Sequence, residues 1–297
     1  MWIERDAGLS ALLRGEERRL CGGFGFTEGP VWVAADERLL FTDIPNTTIH
    51  RWRPGRDEVE VYRTPSGHAN GLTLDHDGNL LACEHSGRRV SIATYGGAEV
   101  RAIDRFEGKR FNSPNDVVVD RGGAIWFTDP TYGLTVPTLG DPTAKQEIDF
   151  QGVYRAAPDG SLTCVTREFS QPNGLVFAPD ESLLYIGDSQ DKIIRRYRVA
   201  DDGTLDAGEL FVDMREAEGP GAPDGMAVDE AGRLWTTGAG GVWVVEPDGS
   251  LLGVLVLPEK PANLCFGGPD FSTLYFTARA SVYAIETAVR GVAPGSR

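Results

Sequence analysis

Six positions ending in a side-chain carbonyl or carboxylate oxygen recur along the chain: Glu28, Asn70, Asn115, Asn173, Asp224 and Asn263, at intervals of 42, 45, 58, 51 and 39 residues. Each opens a short apolar run, as in Glu28-Gly29-Pro30-Val31-Trp32, Asn173-Gly174-Leu175-Val176-Phe177 and Asp224-Gly225-Met226-Ala227-Val228. None of the six is Lys, Arg or His. Oxygen donors of mixed charge gathered about one point suit a hard divalent cation. Ca²⁺ is the first choice, with Mg²⁺, Mn²⁺ and Zn²⁺ as alternatives, and two acids among the six match the charge of one such ion. A blander reading stands beside this one. Asn and Asp before Gly cap turns through local hydrogen bonds, and a repeated turn repeats its residue. Glu28 counts against it, because Glu caps such turns poorly yet occupies the same column.

A second column follows from hairpin geometry, in which the end of the second strand returns beside the start of the first. Those ends fall at Asp43, Glu84, Asp129 and Asp188, with Gly238 and Ala278 in the last two copies. Carboxylates brought to one face repel unless a cation or donors compensate. Asp43 and Glu84 read as hydrogen-bonding residues rather than ligands. Of the four histidines, His76 in a turn and His50 in an outer strand read as surface residues. His68 and His85 flank the second copy, where either can touch a substrate. The chain has no H-E-x-x-H, no G-x-S-x-G elbow, no P-loop and no G-x-G-x-x-G opening a helix, which argues against zinc-protease, serine-hydrolase and nucleotide chemistry.

The elements that must position these residues are strands. Turn sequences such as Asp75-His76-Asp77-Gly78, Asp120-Arg121-Gly122-Gly123 and Asp229-Glu230-Ala231-Gly232 supply side-chain hydrogen bonds and positive φ. After each turn comes a second β-rich run, for example Ile125-Trp126-Phe127-Thr128 and Leu234-Trp235-Thr236-Thr237. Helical periodicity is weak outside the first 14 residues, where Leu9, Leu12 and Leu13 allow a turn or two. Six repeats of about four strands predict an all-β chain, a six-bladed β-propeller with a metal site at its centre. Residues 1–297 read as one domain, with a lead-in over about 1–17 and a loop insert over about 134–150 that lengthens the 58-residue interval. The segment Arg18 to Gly25 is placed to close the ring against the last blade.

Composition agrees. Thirty-seven Gly and 18 Pro punctuate a chain that is 41% apolar and 25% charged, an ordinary globular balance. Twenty-nine Lys and Arg face 44 Asp and Glu, leaving a net charge of −15, which repels phosphate backbones and argues against nucleic-acid partners. Cys21, Cys83, Cys164 and Cys265 are scattered without a C-x-x-C pair, as expected of reduced, mostly buried thiols. With no apolar run of membrane length and no signal-peptide core in Met1 to Arg14, the expected location is the cytoplasm, without membrane attachment.

Several segments carry a family resemblance: Thr27-Glu28-Gly29-Pro30-Val31-Trp32, Asn112-Ser113-Pro114-Asn115-Asp116, Phe127-Thr128-Asp129-Pro130-Thr131-Tyr132-Gly133, Gln171-Pro172-Asn173-Gly174 and Pro223-Asp224-Gly225-Met226. Together, over roughly residues 18 to 286, they resemble the gluconolactonase/regucalcin (senescence marker protein) family, most closely its bacterial gluconolactonase-like branch. The resemblance implies a single divalent metal at the axis, with Glu28, Asn173 and Asp224 as ligands and Asn115 reaching both metal and substrate. Where the regucalcin branch has an Arg two residues before that Asn, this chain has Ser113, which implies a different substrate preference. Asn70 and Asn263 receive no firm role by resemblance.

The implied activity is metal-dependent hydrolysis of a sugar (aldono-) lactone to the aldonic acid. Asp224 is the expected base, with Asp129 or Glu84 as substitutes and Asn115 assisting catalysis. Asn70, His68, Glu84, Tyr132 and Asn115 are expected to meet the substrate. Two alternatives accompany this reading: an organophosphate, other-lactone or ester hydrolase on the same propeller, and a calcium-binding propeller without enzymatic activity.

Overall fold

The computed structural model describes residues 1–295. Six antiparallel sheets of four or five strands follow one another along the chain, each ordered from an inner strand outwards. The first comprises Thr27–Val33, Arg38–Asp43, Thr48–Trp52 and Val59–Arg63. The second is Ala69–Leu74, Leu80–Glu84, Arg89–Ala93 and Glu99–Ile103, and the third is Val117–Val119, Ile125–Asp129, Gly152–Ala156 and Leu162–Thr166. Pro172–Phe177, Leu183–Asp188, Ile193–Arg198 and Glu209–Asp213 form the fourth. The fifth runs Met226–Val228, Leu234–Gly238, Gly241–Val245, Leu251–Val256, and the sixth Pro261–Gly267, Thr273–Ala278, Ser281–Thr287.

The N-terminal segment completes the last two sheets. Leu13–Gly22 pairs with Ser281–Thr287 as the outer strand of the sixth blade, so the ring is closed by a strand that begins before the expected Arg18. Trp2–Glu4 pairs with Leu251–Val256 as a fifth strand of the fifth blade. The lead-in is therefore built into the sheets, with one 3₁₀ turn, Leu9–Leu12, between its two strands.

Hydrophobic clusters sit between neighbouring blades, which is why the inner strands read as unbroken apolar runs: both faces of each sheet are covered. Leu40, Ile49, Leu72 and Ala82 join blades one and two, and Trp126, Val153, Leu175 and Ile186 join blades three and four. Across the closing interface Trp32 of the first blade stacks on Tyr275 of the sixth at 5.6 Å between ring centroids. Burying a side chain of this size contributes roughly 1.5–3 kcal/mol, so each interface draws on several such terms. The six-bladed propeller is thus a ring of equivalent hydrophobic seams around an axis.

The hairpin turns behave as their residues predict. Asp75, Asp120 and Asp229 accept backbone N–H groups across their own turns, and Gly78, Gly123 and Gly232 adopt φ of 76°, 83° and 83°. Asp120 and Asp229 also accept the indole N–H of the buried Trp126 and Trp235, at 2.8 and 3.1 Å. Two histidines read as surface residues are held more tightly than expected. His50 is half-buried against Phe24 and Phe41, and the ring nitrogens of His76 lie 2.8 Å from the Gly295 and Asp120 carbonyl oxygens.

Candidate metal centre and substrate cavity

The inner strands enter at one face, and there the first column converges. A cavity of about 200 Å³ is lined by Glu28, Asn70, Asn115, Asn173 and Asp224, together with Phe26, His85, Tyr132, Ser189 and Lys260. Glu28, Asn70, Asn115 and Asn173 are buried, and Asp224 is partly exposed. Asn263, sixth in the column, does not line this cavity. Its Oδ1 accepts the Leu264 N–H at 2.8 Å, its side chain hydrogen-bonds Glu28, and it lines a separate pocket beside Leu264 and the 292–295 segment.

The glycine that follows most of these residues has a packing role. A Cβ on Gly29 would lie 2.0 Å from the Asn70 carbonyl oxygen, and one on Gly174 would lie 2.0 Å from that of Asp224. The Gly174 N–H donates to the same Asp224 carbonyl at 3.0 Å, and the Gly71 N–H to Asn115 at 2.8 Å. Neighbouring inner strands thus touch backbone to backbone around the axis, and a side chain at this position would force them apart. The third blade departs from the pattern with Asp116, whose Oδ1 accepts the Val117 N–H. Half-buried in the channel, it has its carboxyl raised to about 7 by desolvation, with the Asp224 charge adding to the rise.

Electrostatics single out Glu28 and Asp224. Glu28 Oε2 accepts the Gly29 N–H at 3.0 Å, yet desolvation and then the charge of Asp224 push its carboxyl well above the ordinary glutamate range. Desolvation raises Asp224 to about 6, opposed by the positive charge of Lys260 and a hydrogen bond from Asn173. Two carboxylates that disfavour each other's ionisation, with amide oxygens beside them, are a donor set that a hard divalent cation satisfies. The residues present fit such an ion, although no group of three or more His, Cys, Asp or Glu clusters among the described residues. The fit depends on the asparagines.

Three asparagines are oriented by hydrogen bonds. Asn173 Nδ2 donates to Ser189 Oγ at 2.9 Å, and Ser189 donates onward to the Pro223 carbonyl. Asn115 Nδ2 and Asn70 Nδ2 face His85 Nε2, at 3.5 and 3.3 Å. With their NH₂ groups engaged, the Oδ1 atoms remain available to the cavity. His85 is fully buried, and desolvation lowers its basicity to about 4, so the ring is neutral.

The second column does different work. Asp43 accepts the N–H groups of Gly25 and Phe26, Asp129 those of Asn112 and Ser113, and Asp188 those of Ser170 and Gln171. In each case these are the residues three and two positions before the first-column side chain. Asp129, expected as an alternative base, is fully buried, lies outside the cavity lining and has both oxygens engaged. Burial raises its carboxyl to about 7 against the pull of those two N–H groups. Glu84 likewise stands away from the cavity, ion-paired with Arg63 and Arg89. His68, hydrogen-bonded to Ser86 Oγ, lines a neighbouring groove with Arg63 and Glu84 rather than the cavity. Tyr132 does reach the cavity, from the helical turn Tyr132–Thr135 at the start of the insert, and desolvation raises its phenol to about 12. Ser113 turns its hydroxyl to the Pro130 carbonyl at 2.6 Å and accepts the Gly133 N–H.

Sequence reasoning did not anticipate Lys260, Ser189 or Asp116. Ser189 and His85 each directly follow a second-column acid, so the next residue along is a column of its own. Lys260 stands three residues before Asn263, where other blades place Gly25, Gly67, Asn112, Ser170 and Gly221. It is the one cation in that column. Among the described residues it has no hydrogen-bond or ion-pair partner.

Known proteins resemble this chain in sequence and fold. The sequence profile of the SMP-30/Gluconolactonase/LRE-like region covers residues 26–280. The gluconolactonase of Zymomonas mobilis is 34% identical over 288 residues, 90% of this chain and 80% of its own. The pentonolactonase XacC of Haloferax volcanii is 34% identical over 260 residues, 84% of this chain and 80% of its own. A solved gluconolactonase from Xanthomonas campestris superimposes with a TM-score of 0.88 at 33% identity, covering 96% of this chain and 94% of that one. The chain belongs to the SMP-30/gluconolactonase/LRE-like family of lactone-hydrolysing enzymes, in which the Zymomonas and Haloferax relatives are named as lactonases.

Proposed function

We propose that the chain hydrolyses a sugar lactone to the corresponding aldonic acid, assisted by a divalent cation, Ca²⁺ first, held by Glu28, Asn115, Asn173 and Asp224. The observation that carries this reading is the meeting of these four oxygen-bearing side chains in one cavity of about 200 Å³, two of them carboxylates that disfavour each other's charge. The family relatives named for gluconolactone and pentonolactone support the substrate class. When bound, the cation supplies Lewis-acid polarisation of the lactone carbonyl.

The remaining chemistry belongs to the side chains. Asp224 takes a proton from the attacking water as the water oxygen bonds to the carbonyl carbon. The ring C–O bond then breaks, and the departing ring oxygen receives that proton and leaves as a hydroxyl. With Asp129 and Glu84 occupied elsewhere, Asp224 is the carboxylate positioned for this transfer. Lys260 faces the cavity with its charge acting on Asp224, suited to stabilise the oxygen that gains negative charge. Asn70 and Tyr132 orient the sugar hydroxyls, and Phe26 and Ile44 offer the ring an apolar wall. No helix among the described residues is long and apolar enough to cross a membrane.

The test is hydrolysis of glucono-1,5-lactone and a panel of pentonolactones, with chelator and after readdition of Ca²⁺, Mg²⁺, Mn²⁺ or Zn²⁺. Ring opening well above the buffer rate, lost on chelation and restored by a cation, is the expected result. No rate above buffer on any lactone in the cation-loaded protein would overturn the reading.

A further inference from the structure

His85 joins two parts of the molecule that the chain separates widely. Its Nδ1 lies 2.8 Å from the carbonyl oxygen of Leu139, 54 residues away in the insert. A carbonyl only accepts, so Nδ1 carries the ring proton. The ring is fully buried, and its Nε2 faces two amide nitrogens, which only donate, so Nε2 presents a lone pair. That lone pair faces Asn70 Nδ2 at 3.3 Å and Asn115 Nδ2 at 3.5 Å. Turning either amide over would set an oxygen against the lone pair, oxygen to nitrogen with no hydrogen between them. The insert is packed tightly enough to hold this arrangement: a Cβ on Gly133 would lie 2.7 Å from the His85 Cβ and equally close to that of Ser113.

We propose that His85 is a positioning residue through which the insert orders the cavity: the Leu139 carbonyl fixes the proton on Nδ1, and Nε2 then holds the Asn115 and Asn70 amides with their oxygens turned inward. The proposal rests on the reading of the cavity as a cation-assisted lactone site, but its consequences are seen in cation binding alone. An outer partner that orients a ligand typically changes metal affinity 10- to 100-fold when removed. Phenylalanine fills the same buried space without a lone pair, so His85→Phe releases both amides. A carboxylate presents one oxygen to Nε2 and one to the cavity whichever way it turns, so in Asn115→Asp His85 no longer selects the orientation of residue 115.

The experiment is calorimetric titration of the full chain with CaCl₂ for wild type, His85→Phe, Asn115→Asp and the double variant, with ¹⁵N NMR of the histidine rings in the wild type. The expected results are a loss of Ca²⁺ affinity of about 10-fold or more in His85→Phe and a loss of less than about 3-fold when the same change is made in the Asn115→Asp background. In the wild type, a protonated, pyrrole-type Nδ1 and a bare, pyridine-type Nε2 are expected. A protonated Nε2 would overturn the proposal, as would unchanged affinity in His85→Phe or an equal loss in both backgrounds. The NMR arm stands even if His85→Phe does not fold. None of these readouts depends on lactone turnover, so a protein that binds Ca²⁺ through this arrangement yet opens no lactone would refute the proposed activity and leave the role of His85 intact.

Discussion

Two rings of acidic and amide residues lie at the same end of this propeller, and they do opposite things. The first column, at the inner-strand entrances, leaves its oxygens facing a shared cavity. The second, at the ends of the adjacent strands, turns Asp43, Asp129 and Asp188 onto backbone N–H groups of the loops that deliver the first. Residue type does not distinguish them, since both contain Asp and Glu. Setting does: a buried carboxylate given two loop N–H groups and no acidic neighbour in the cavity is an anchor, whereas Glu28, hydrogen-bonded by the Gly29 N–H and the Asn263 side chain but set beside Asp224, retains an unmet demand for positive charge. The anchors hold the loops that aim the candidate ligands.

The contrast is broken most severely at Glu28. Glu28→Gln should lower Ca²⁺ affinity by roughly 100-fold, about 3 kcal/mol, while raising the melting temperature of the cation-free protein, because a disfavoured buried charge is removed. Calorimetry and thermal melts in chelator check both halves, and unchanged Ca²⁺ affinity would take Glu28 out of the ligand set. Asp129→Asn should do the reverse. An amide facing the Asn112 and Ser113 N–H groups leaves a donor unmet, destabilising the fold by about 1–3 kcal/mol, while Ca²⁺ affinity of the folded protein changes little. If Asp129→Asn abolished cation binding without lowering the melting temperature, the two columns would not be distinct.

A third prediction concerns pH. Asp224 is raised to about 6 and Glu28 well above its usual range in the cation-free protein, so between the unfolded values near 4 and about 6 the folded chain holds more protons than the unfolded one. The stability that this pair contributes without cation is therefore fully present below pH 4 and declines as pH rises to about 6. With saturating Ca²⁺ the sign inverts, because protons compete with the ion: affinity rises through pH 6 and protons are released on binding. Melting curves from pH 4 to 8, with chelator and with excess Ca²⁺, should move in opposite directions. The smallest effect is expected at Lys260. Lys260→Met removes a charge that lowers the Asp224 carboxyl's proton affinity, and with it a repulsion on the cation, so Ca²⁺ should bind a few-fold tighter. Lactone turnover should fall about 10-fold, near 1.4 kcal/mol. Steady-state kinetics that lose KM rather than kcat would instead make Lys260 a substrate-binding group alone.

Much of this is legible in the amino-acid sequence. The repeat of an oxygen-bearing residue, an apolar run, a turn and a second run defines six blades, because a strand covered on both faces must be apolar throughout and a tight turn must carry Asp and Gly. The glycine after Asn173 was visible as part of a repeat, but its cause was not. It makes room for the next inner strand's carbonyl rather than for a turn, a contact between residues some 50 positions apart in the chain.

What the sequence by itself determined was the ring, its closure by an N-terminal strand, the first column and the family. Each follows from local periodicity or from ordered motifs. Only the tertiary structure decided which oxygens remain free. Asn263 belongs to the column by spacing yet gives its oxygen to Leu264, Asp129 and Glu84 belong to the right face yet are spent on N–H groups and arginines, and Lys260 enters from a position that is small or neutral in the other blades. Hydrogen-bond satisfaction is set by partners distant in the chain, and no spacing rule reports it. The same reason places His85 at the junction of insert and cavity: its tautomer is chosen by a backbone carbonyl 54 residues away, a contact that exists only once the second blade and the insert of the third have packed together.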